Sequence, residues 1–385
     1  MKSKIWLSPP HMGGKEFDYI KDAIDSNWVA PTGPNVDSFE NELSQFLEES
    51  SFVAALSSGT AALHLGLILL GVKAGDEVIC QSMTFAASVN PIAYLGAIPI
   101  LIDSELDTWN MSPDFLEKAI LDRINQGKKP KAIIPVHIYG MPAKMDEIIA
   151  IASKYNIPIL EDAAEALGSS INGKMCGTFG EISIFSFNGN KIITTSGGGA
   201  LVSKYNEYAY KARFLATQAR DNAPHYQHSQ IGYNYRMSNI CASIGCAQMK
   251  VLPERILQRR NIFNQYYEKL NDYPGLSFLV ELPGYLSNRW LTTILVNPEK
   301  AEGISRETLR LAFEKENIES RPLWKPMHLQ PIFREYPFYG TNVSEKLFEQ
   351  GLCLPSGSNL NESDMDRIFD VIDSVWAKNK ILVKE

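Results

Sequence analysis

The chain has 385 residues, 45% of them hydrophobic, which is enough for two domains or for one large α/β unit with an appendage. A formal net charge of −7 and a pI near 5.5 argue against nucleic acid or an anionic membrane as partner, so any anionic ligand must be met by local features. Cys80, Cys176, Cys241, Cys246 and Cys353 are odd in number and scattered, without a C-x-x-C pair; that fits a reduced, cytoplasmic protein with no disulfide frame and no bound metal.

In chain order, SPPHMGG opens as a Pro/Gly segment without the apolar core of a secretory leader. Apolar spacing predicts a helix from Lys15 to Asp25 with Phe17, Ile20, Ala23 and Ile24 on one face. The loop SNWVAPTGP leads to a second amphipathic helix from Val36 to about Glu49. Phe52 to Leu56 is a short apolar strand, Ser57-Ser58-Gly59-Thr60 a sharp turn, and AALHLGLILLG a buried helix. Strand, small-residue turn and helix N-terminus together can cradle a phosphate through free N–H groups and the helix dipole. A plain α/β turn with a hydroxyl cap would read the same way. The apolar run from Ala61 to Val72 is too short to span a bilayer.

From Glu77 to Ala166 strands and helices alternate. DEVICQSM, AIPILID, KAIIPVHIYG and IPILEDA read as strands; SVNPIAYLG, SPDFLEKAILDRIN and KMDEIIAIASKYN read as helices. Continuous apolar strands separated by helices predict a mostly parallel, doubly wrapped sheet. Ligands of such sheets gather past the strand carboxyl ends, which singles out Glu161-Asp162 and Thr84-Phe85. By themselves, Asp162 could equally be a cap or a structural ion-pair partner, and Phe85 a core residue.

Residues 183–199, SIFSFNGNKIITTSGGG, hold Lys191 in a Gly- and Asn-rich kink between apolar segments. A lone loop lysine is ordinarily a solvated surface charge. One kept out of water gives up its proton more readily, and its neutral amine can condense with a carbonyl. Residues 205–260 read as helical around the loop HYQHSQIGYNYRMSN. His225 and His228 there lack a third metal ligand, whereas GYNYR puts Asn234 and Arg236 on alternate positions of an extended piece. PERILQRRNIFNQYYEKL reads as a helix bridging into a smaller domain. That domain has strands at LSFLVEL and RWLTTILVNP, a helix from Ser305 to Glu316, the loop RPLWKPMHLQP, a strand at CLPSG and a final helix. The expected division is a large cofactor-binding domain over residues 1–249, including the N-terminal helices, and a small C-terminal α/β domain over 250–385.

An amine nucleophile (Lys191), a phosphate cradle (Gly59-Thr60), a strand-end carboxylate (Asp162) and an aromatic face (Phe85) are the four things that pyridoxal 5′-phosphate needs. The stretches SSGTAALHLGL, GDEVICQSMTFAASVNPI, PVHIYG, ILEDAAEALGS, GTFGEISIFSFNGNKIITTSGGGALV and GYNYRMSN also carry a likeness over nearly the whole chain. The sequence resembles the fold-type I, pyridoxal phosphate-dependent nucleotide-sugar aminotransferases of the DegT/DnrJ/EryC1/StrS family. SPPHMGG, SNWVAP and RPLWKPMH look like its C4 aminotransferases for UDP-4-keto-6-deoxy-N-acetylhexosamines, of the bacillosamine and exopolysaccharide type.

The resemblance implies Lys191 as Schiff-base lysine and proton carrier, Asp162 as partner of the pyridine nitrogen, and Phe85 stacked on the ring. It implies Gly59, Thr60 and Ser186 at the phosphate, joined by Asn234 from the neighbouring subunit of a homodimer with shared sites. Glu165 stands near the cofactor where many members have Gln; an ionised Glu only accepts hydrogen bonds. Asn27, Trp28, Val29 and Ala30 are expected to line the sugar pocket, and Arg236, Trp324, Lys325 and His328 to meet uracil and pyrophosphate. The implied reaction is ping-pong, with an amino acid, L-glutamate, as donor. The alternatives are a dTDP- or GDP-linked 3- or 4-keto sugar as acceptor, or a sugar dehydratase; dehydratases of the family carry histidine in place of the lysine. A Rossmann dehydrogenase would need a G-x-G-x-x-G that the chain lacks.

Overall fold

The computed structural model describes residues 2–47 and 51–382, with side chains to residue 377. Seven strands build the main sheet: β1 (Phe52–Leu56), β2 (Glu77–Gln81), β3 (Ile98–Ile102), β4 (Ala132–Ile134), β5 (Leu160–Asp162), β6 (Ile182–Ser186) and β7 (Gly199–Ser203). Their spatial order is β1-β7-β6-β5-β4-β2-β3, with the two-residue strand Phe338–Tyr339 alongside β3. The β4–β5 junction is made by parallel bridges, Ile133 to Ile159 and Val136 to Asp162. Of the seven only β7 runs against the rest, pairing antiparallel with both β1 and β6, so the expected mostly parallel sheet is present.

The helices are α1 (Glu16–Asp25), α2 (Pro34–Leu47), α3 (Gly59–Leu69), α4 (Asn90–Tyr94), α5 (Pro113–Asn125), α6 (Met145–Lys154), α7 (Asn206–Ala216) and α8 (Asn239–Leu270). Alternation along the strands sends apolar side chains to both faces, so both must be covered. Ala54, Leu56, Ile182, Ile184 and Leu201 pack under α3, α4 and α7. Val53, Ala55, Phe185, Ala200 and Val202 pack on α2 and α8, where Phe39 meets Phe187 edge-on at 5.1 Å. Farther along that face Ile79, Ile100 and Ile133 lie under α5 and α6. Ser112 caps α5 through the Phe115 N–H, as its position before Pro113 predicts.

The smaller unit is an antiparallel sheet of Leu276–Phe278, Thr292–Val296, Gly351–Leu354 and Arg321–Pro322, in that order, against helices α9 (Arg306–Lys315) and Glu362–Leu382. α8 runs unbroken through Pro253. Its first half packs on the main sheet through Cys246 and Leu252, its second on the small sheet through Ile262, Tyr266 and Leu270. The division between residues 249 and 250 therefore falls inside one helix.

Two local expectations need correction or trimming. In α1 only Ala23 of the expected apolar face is buried, while Phe17 and Ile24 point to solvent, because the helix rests on α8 by a narrow edge. The second helix is described to Leu47; residues 48 and 49 of the expected span lie outside the described residues.

Candidate active site

The carboxyl ends of β1, β2, β5 and β6 lie along one edge of the sheet, and a cavity of about 280 Å³ opens there. The β1–α3 turn supplies its first wall. Ser58 caps α3 by accepting from the Ala61 N–H at 3.0 Å, which leaves the N–H groups of Gly59 and Thr60 with no acceptor inside the helix. The start of β7 crosses this turn so closely that a Cβ on Gly199 would lie 2.4 Å from Gly59 N, so glycine is required there. Ser186, at the end of β6, and Gly197 and Gly198 complete this wall.

Strand alternation in β5 puts its two carboxylates on opposite sides. Asp162 faces the cavity. Its Oδ2 accepts from Ser88 Oγ at 2.6 Å and its Oδ1 from Ala164 N at 3.1 Å; Thr84 Oγ1 lies 2.7 Å from Ser88 Oγ. Burial pushes the Asp162 carboxyl above its ordinary range, against the Ser88 and Ala164 hydrogen bonds and the Lys191 charge. A cation in front of it would relieve that cost.

Glu161 faces away and is locked. It accepts from His137 Nε2 (2.8 Å), Gly177 N, Phe179 N (2.8 Å), Gly180 N (3.0 Å) and Ser183 Oγ (2.9 Å). Burial would raise its pKa, but His137 and the backbone donors outweigh burial and hold the carboxyl below its usual range. Glu161, His137 and Cys176 also bring three possible metal ligands within 4.8 Å of one another. His137 Nδ1 accepts from Ala143 N, so Nε2 carries the proton given to Glu161 and neither ring nitrogen is free for an ion. The cluster is a structural lock.

The Lys191 side chain is only 12% exposed, which removes the reading as a solvated surface charge. Its Nζ lies 4.1 Å over the Trp290 ring and 3.4 Å from Glu165 Oε1. The kink is held by Lys191 N to Asn188 O, and by Ser8 Oγ and Trp290 Nε1 both donating to Asn190 O at 2.8 Å. Glu165 Oε2 accepts from Tyr139 N at 2.7 Å. Tyr139 holds φ +54° and stacks between Trp290 and Trp324, its hydroxyl accepting from Trp324 N at 2.7 Å. Phe85 is 56% exposed at the cavity mouth with its ring beside Trp324, so it is not a core residue.

The cavity thus gathers Gly59, Thr60, Phe85, Asp162, Glu165, Ser186, Lys191 and Trp324. It does not include Asn234, which is exposed and bridged to Thr217, nor the exposed Asn27, Trp28 and Val29, nor Ala30, which accepts from Asn239 N. Lys325 is exposed and outside it too. Arg236 corrects the expectation of a substrate contact: its guanidinium pairs with the buried Glu40 and donates to Ala55 O at 2.8 Å. His328 is likewise committed, between Ser82 Oγ (2.7 Å) and Glu345 (3.2 Å) and stacked on Phe338. Tyr139 and Trp290 escaped the sequence reading. Tyr139 sits in PVHIYG, whose turn after β4 was the available signal; nothing near Trp290 marks it.

Residues 10–373 match the DegT/DnrJ/EryC1/StrS aminotransferase family. The chain belongs to this family. It is 52% identical over 376 residues to a Bacillus subtilis (strain 168) protein named as a pyridoxal phosphate-dependent aminotransferase, EpsN, covering 97% of this chain and 96% of that one. It is 38% identical to the GDP-perosamine synthase of Escherichia coli O157:H7, covering 96% and 97%. Among solved structures, the sugar aminotransferase Spr1654 of Streptococcus pneumoniae in its PMP form superposes with a TM-score of 0.90 at 29% identity over the full length of both chains. A family aminotransferase from Brucella abortus gives 0.86 at 31% identity, covering 94% of this chain and 95% of its own.

The protein is a pyridoxal phosphate-dependent sugar aminotransferase of fold type I. The donor set fits the cofactor. Two N–H groups without an acceptor inside their helix suit a phosphate, a buried carboxyl with no ion-pair partner among the described residues suits a protonated ring nitrogen, and a solvent-facing phenyl suits a ring face. Among the described residues no helix is long and apolar enough to cross a membrane.

Proposed function

We propose that Lys191 carries the cofactor, and that the enzyme moves an amino group from L-glutamate to C4 of a UDP-linked 4-keto-6-deoxy-N-acetylhexosamine for bacterial glycan or exopolysaccharide synthesis. The observation that carries this reading is the Lys191 amine held inside the cavity that also contains Asp162, the α3 N-terminus and Phe85. Pyridoxal phosphate supplies the electron sink that lets the hydrogen on the amino acid's α-carbon leave. Gly59, Thr60 and Ser186 bind its phosphate. Asp162, aimed by Ser88 and Ala164, keeps the proton on its ring nitrogen. Phe85 covers one ring face. Lys191 Nζ takes the α-proton and returns it during the second half of the cycle.

Trp324, which lines this cavity, is proposed to meet the substrate. Asn234, exposed on its own subunit, is proposed to reach the phosphate of a neighbouring subunit in a homodimer; Asn27, Trp28, Val29 and Ala30 are proposed to line the sugar pocket. Five unpaired thiols support a reducing, cytoplasmic setting. The UDP assignment rests on the likeness of SPPHMGG, SNWVAP and RPLWKPMH to enzymes of that type. A second reading, a GDP-linked 4-keto sugar, is favoured by GDP-perosamine synthases at 35–38% identity over 95% or more of this chain. Incubating the holoenzyme with L-glutamate and UDP-, GDP- and dTDP-linked 4-keto sugars, and identifying the aminated product, separates them. Amination of the GDP or dTDP sugar alone would refute the UDP reading.

A further inference from the structure

Two buried carboxyl groups share the neighbourhood of one amine, but their hydrogen bonding differs. Asp162 has both oxygens occupied, by Ser88 and Ala164. Glu165 has Oε2 occupied by the Tyr139 N–H, whereas among the described residues Oε1 meets only Lys191 Nζ, at 3.4 Å. Among the described residues Glu165 is the one carboxylate paired with that amine; the other close neighbour of Nζ is the Trp290 ring, which can attract a cation but cannot take a proton.

We propose that Glu165 is a catalytic proton acceptor for Lys191. When the lysine is free of the cofactor, an N–H bond of its ammonium breaks, an O–H bond forms on Glu165 Oε1, and an ion pair becomes a neutral amine and a neutral acid. The amine is then able to take the α-proton or to attack the cofactor again. A dry site favours this exchange, because two neutral groups cost less desolvation than two ions. The surroundings agree. Burial pushes the Glu165 carboxyl up, Asp162 adds to that, and the Lys191 charge and the Tyr139 N–H hold it back. The other titratable groups that face it, the Tyr139 hydroxyl and the Cys353 thiol, are pushed up by burial and stay protonated.

The proposal rests on Lys191 being the cofactor lysine, and the test separates the two. Holoenzymes of the wild type, Glu165→Gln and Glu165→Asp are titrated with pH while the visible band of the lysine-bound cofactor is followed. Each is then mixed with L-glutamate for a single turnover. In Glu165→Gln the midpoint of the band should fall by about one unit and the single-turnover rate by about tenfold, because the carboxylate that favours a positive charge on Nζ is gone. Glu165→Asp should move the midpoint back toward wild type. Glutamine keeps an acceptor for the Tyr139 N–H, so a packing role predicts no movement. An unmoved midpoint, with or without a slower turnover, overturns the proposal.

Infrared difference spectroscopy of the wild type needs no variant. Conversion by glutamate should raise a protonated-carboxyl band that shifts in heavy water, and absence of that band also overturns the proposal. Failure of the underlying reading looks different: the wild type would then show no lysine-dependent visible band and no conversion.

Discussion

Replacing Glu161 by Gln tests whether a carboxylate outside the cavity holds the site's shape. In the wild type one oxygen receives His137 Nε2–H and Gly177 N–H, and the other receives Phe179 N–H, Gly180 N–H and Ser183 O–H. An amide keeps only one acceptor oxygen. Whichever way it turns, its NH₂ confronts at least two donors, and each lost bond to a charged acceptor is worth about 1.5–3 kcal/mol. The expected loss is about 3–6 kcal/mol, in line with breaking a buried pair. With an unfolding entropy of about 2.1 cal/mol/K per residue, a chain of 385 residues should then melt about 4–7 °C lower. Calorimetry of wild type and variant at neutral pH reads this directly.

The pH dependence carries a sign. The folded carboxyl sits below its ordinary range, so its contribution is present above the usual glutamate pKa of about 4.3 and is lost as pH falls through the folded value. The gap between variant and wild type should narrow on acidification. A shift under about 1 °C at neutral pH, or a gap that stays constant into acid, would refute the account of Glu161 as an ionised lock.

Three further outcomes follow from the site. Lys191→Ala should fold normally yet lack both turnover and the visible cofactor band; retained activity would remove the lysine from its assigned role. Asp162→Asn should keep cofactor bound but lose about a hundredfold in turnover, since an amide no longer balances a charged ring nitrogen, and wild-type kinetics would contradict that. Gly199→Ala should lose cofactor on dialysis much faster than the wild type, because the added methyl meets Gly59 N and the Ser58 backbone at 2.4 Å and displaces the phosphate-binding turn. Equal retention would show that the close crossing is dispensable.

Much of the site was legible because it is made of local signals. Short apolar runs marked β1, β2 and β5, the small-residue turn before α3 pointed to Gly59 and Thr60, and the strand-end rule pointed to Phe85 and Asp162 before any tertiary contact was known. Lys191 stood out by its kink. What was not legible depends on distant partners. Arg236 reads as an open cation in GYNYR, but its charge meets Glu40, 196 residues earlier in the chain. His328 reads as a free ligand among prolines, yet Ser82 and Glu345 hold it. Phe17 and Ile24 share a helical face with Ala23, and the period alone gives no measure of how much of that face a neighbour covers.

The amino-acid order by itself determined a parallel α/β frame and the chemistry at its carboxyl edge, because strand period, turn composition and residue type act within a few positions of one another. Which carboxylate of the Glu161-Asp162 pair enters the cavity, which cations are already paired, and what surrounds the lysine amine were decided only by packing. Trp290 approaches Lys191 from a segment that follows α8 in the chain, and Tyr139, in a backbone conformation with positive φ, donates its N–H to Glu165. Those contacts exist only once the loop-closure entropy of bringing such distant segments together has been overcome by the core that joins them.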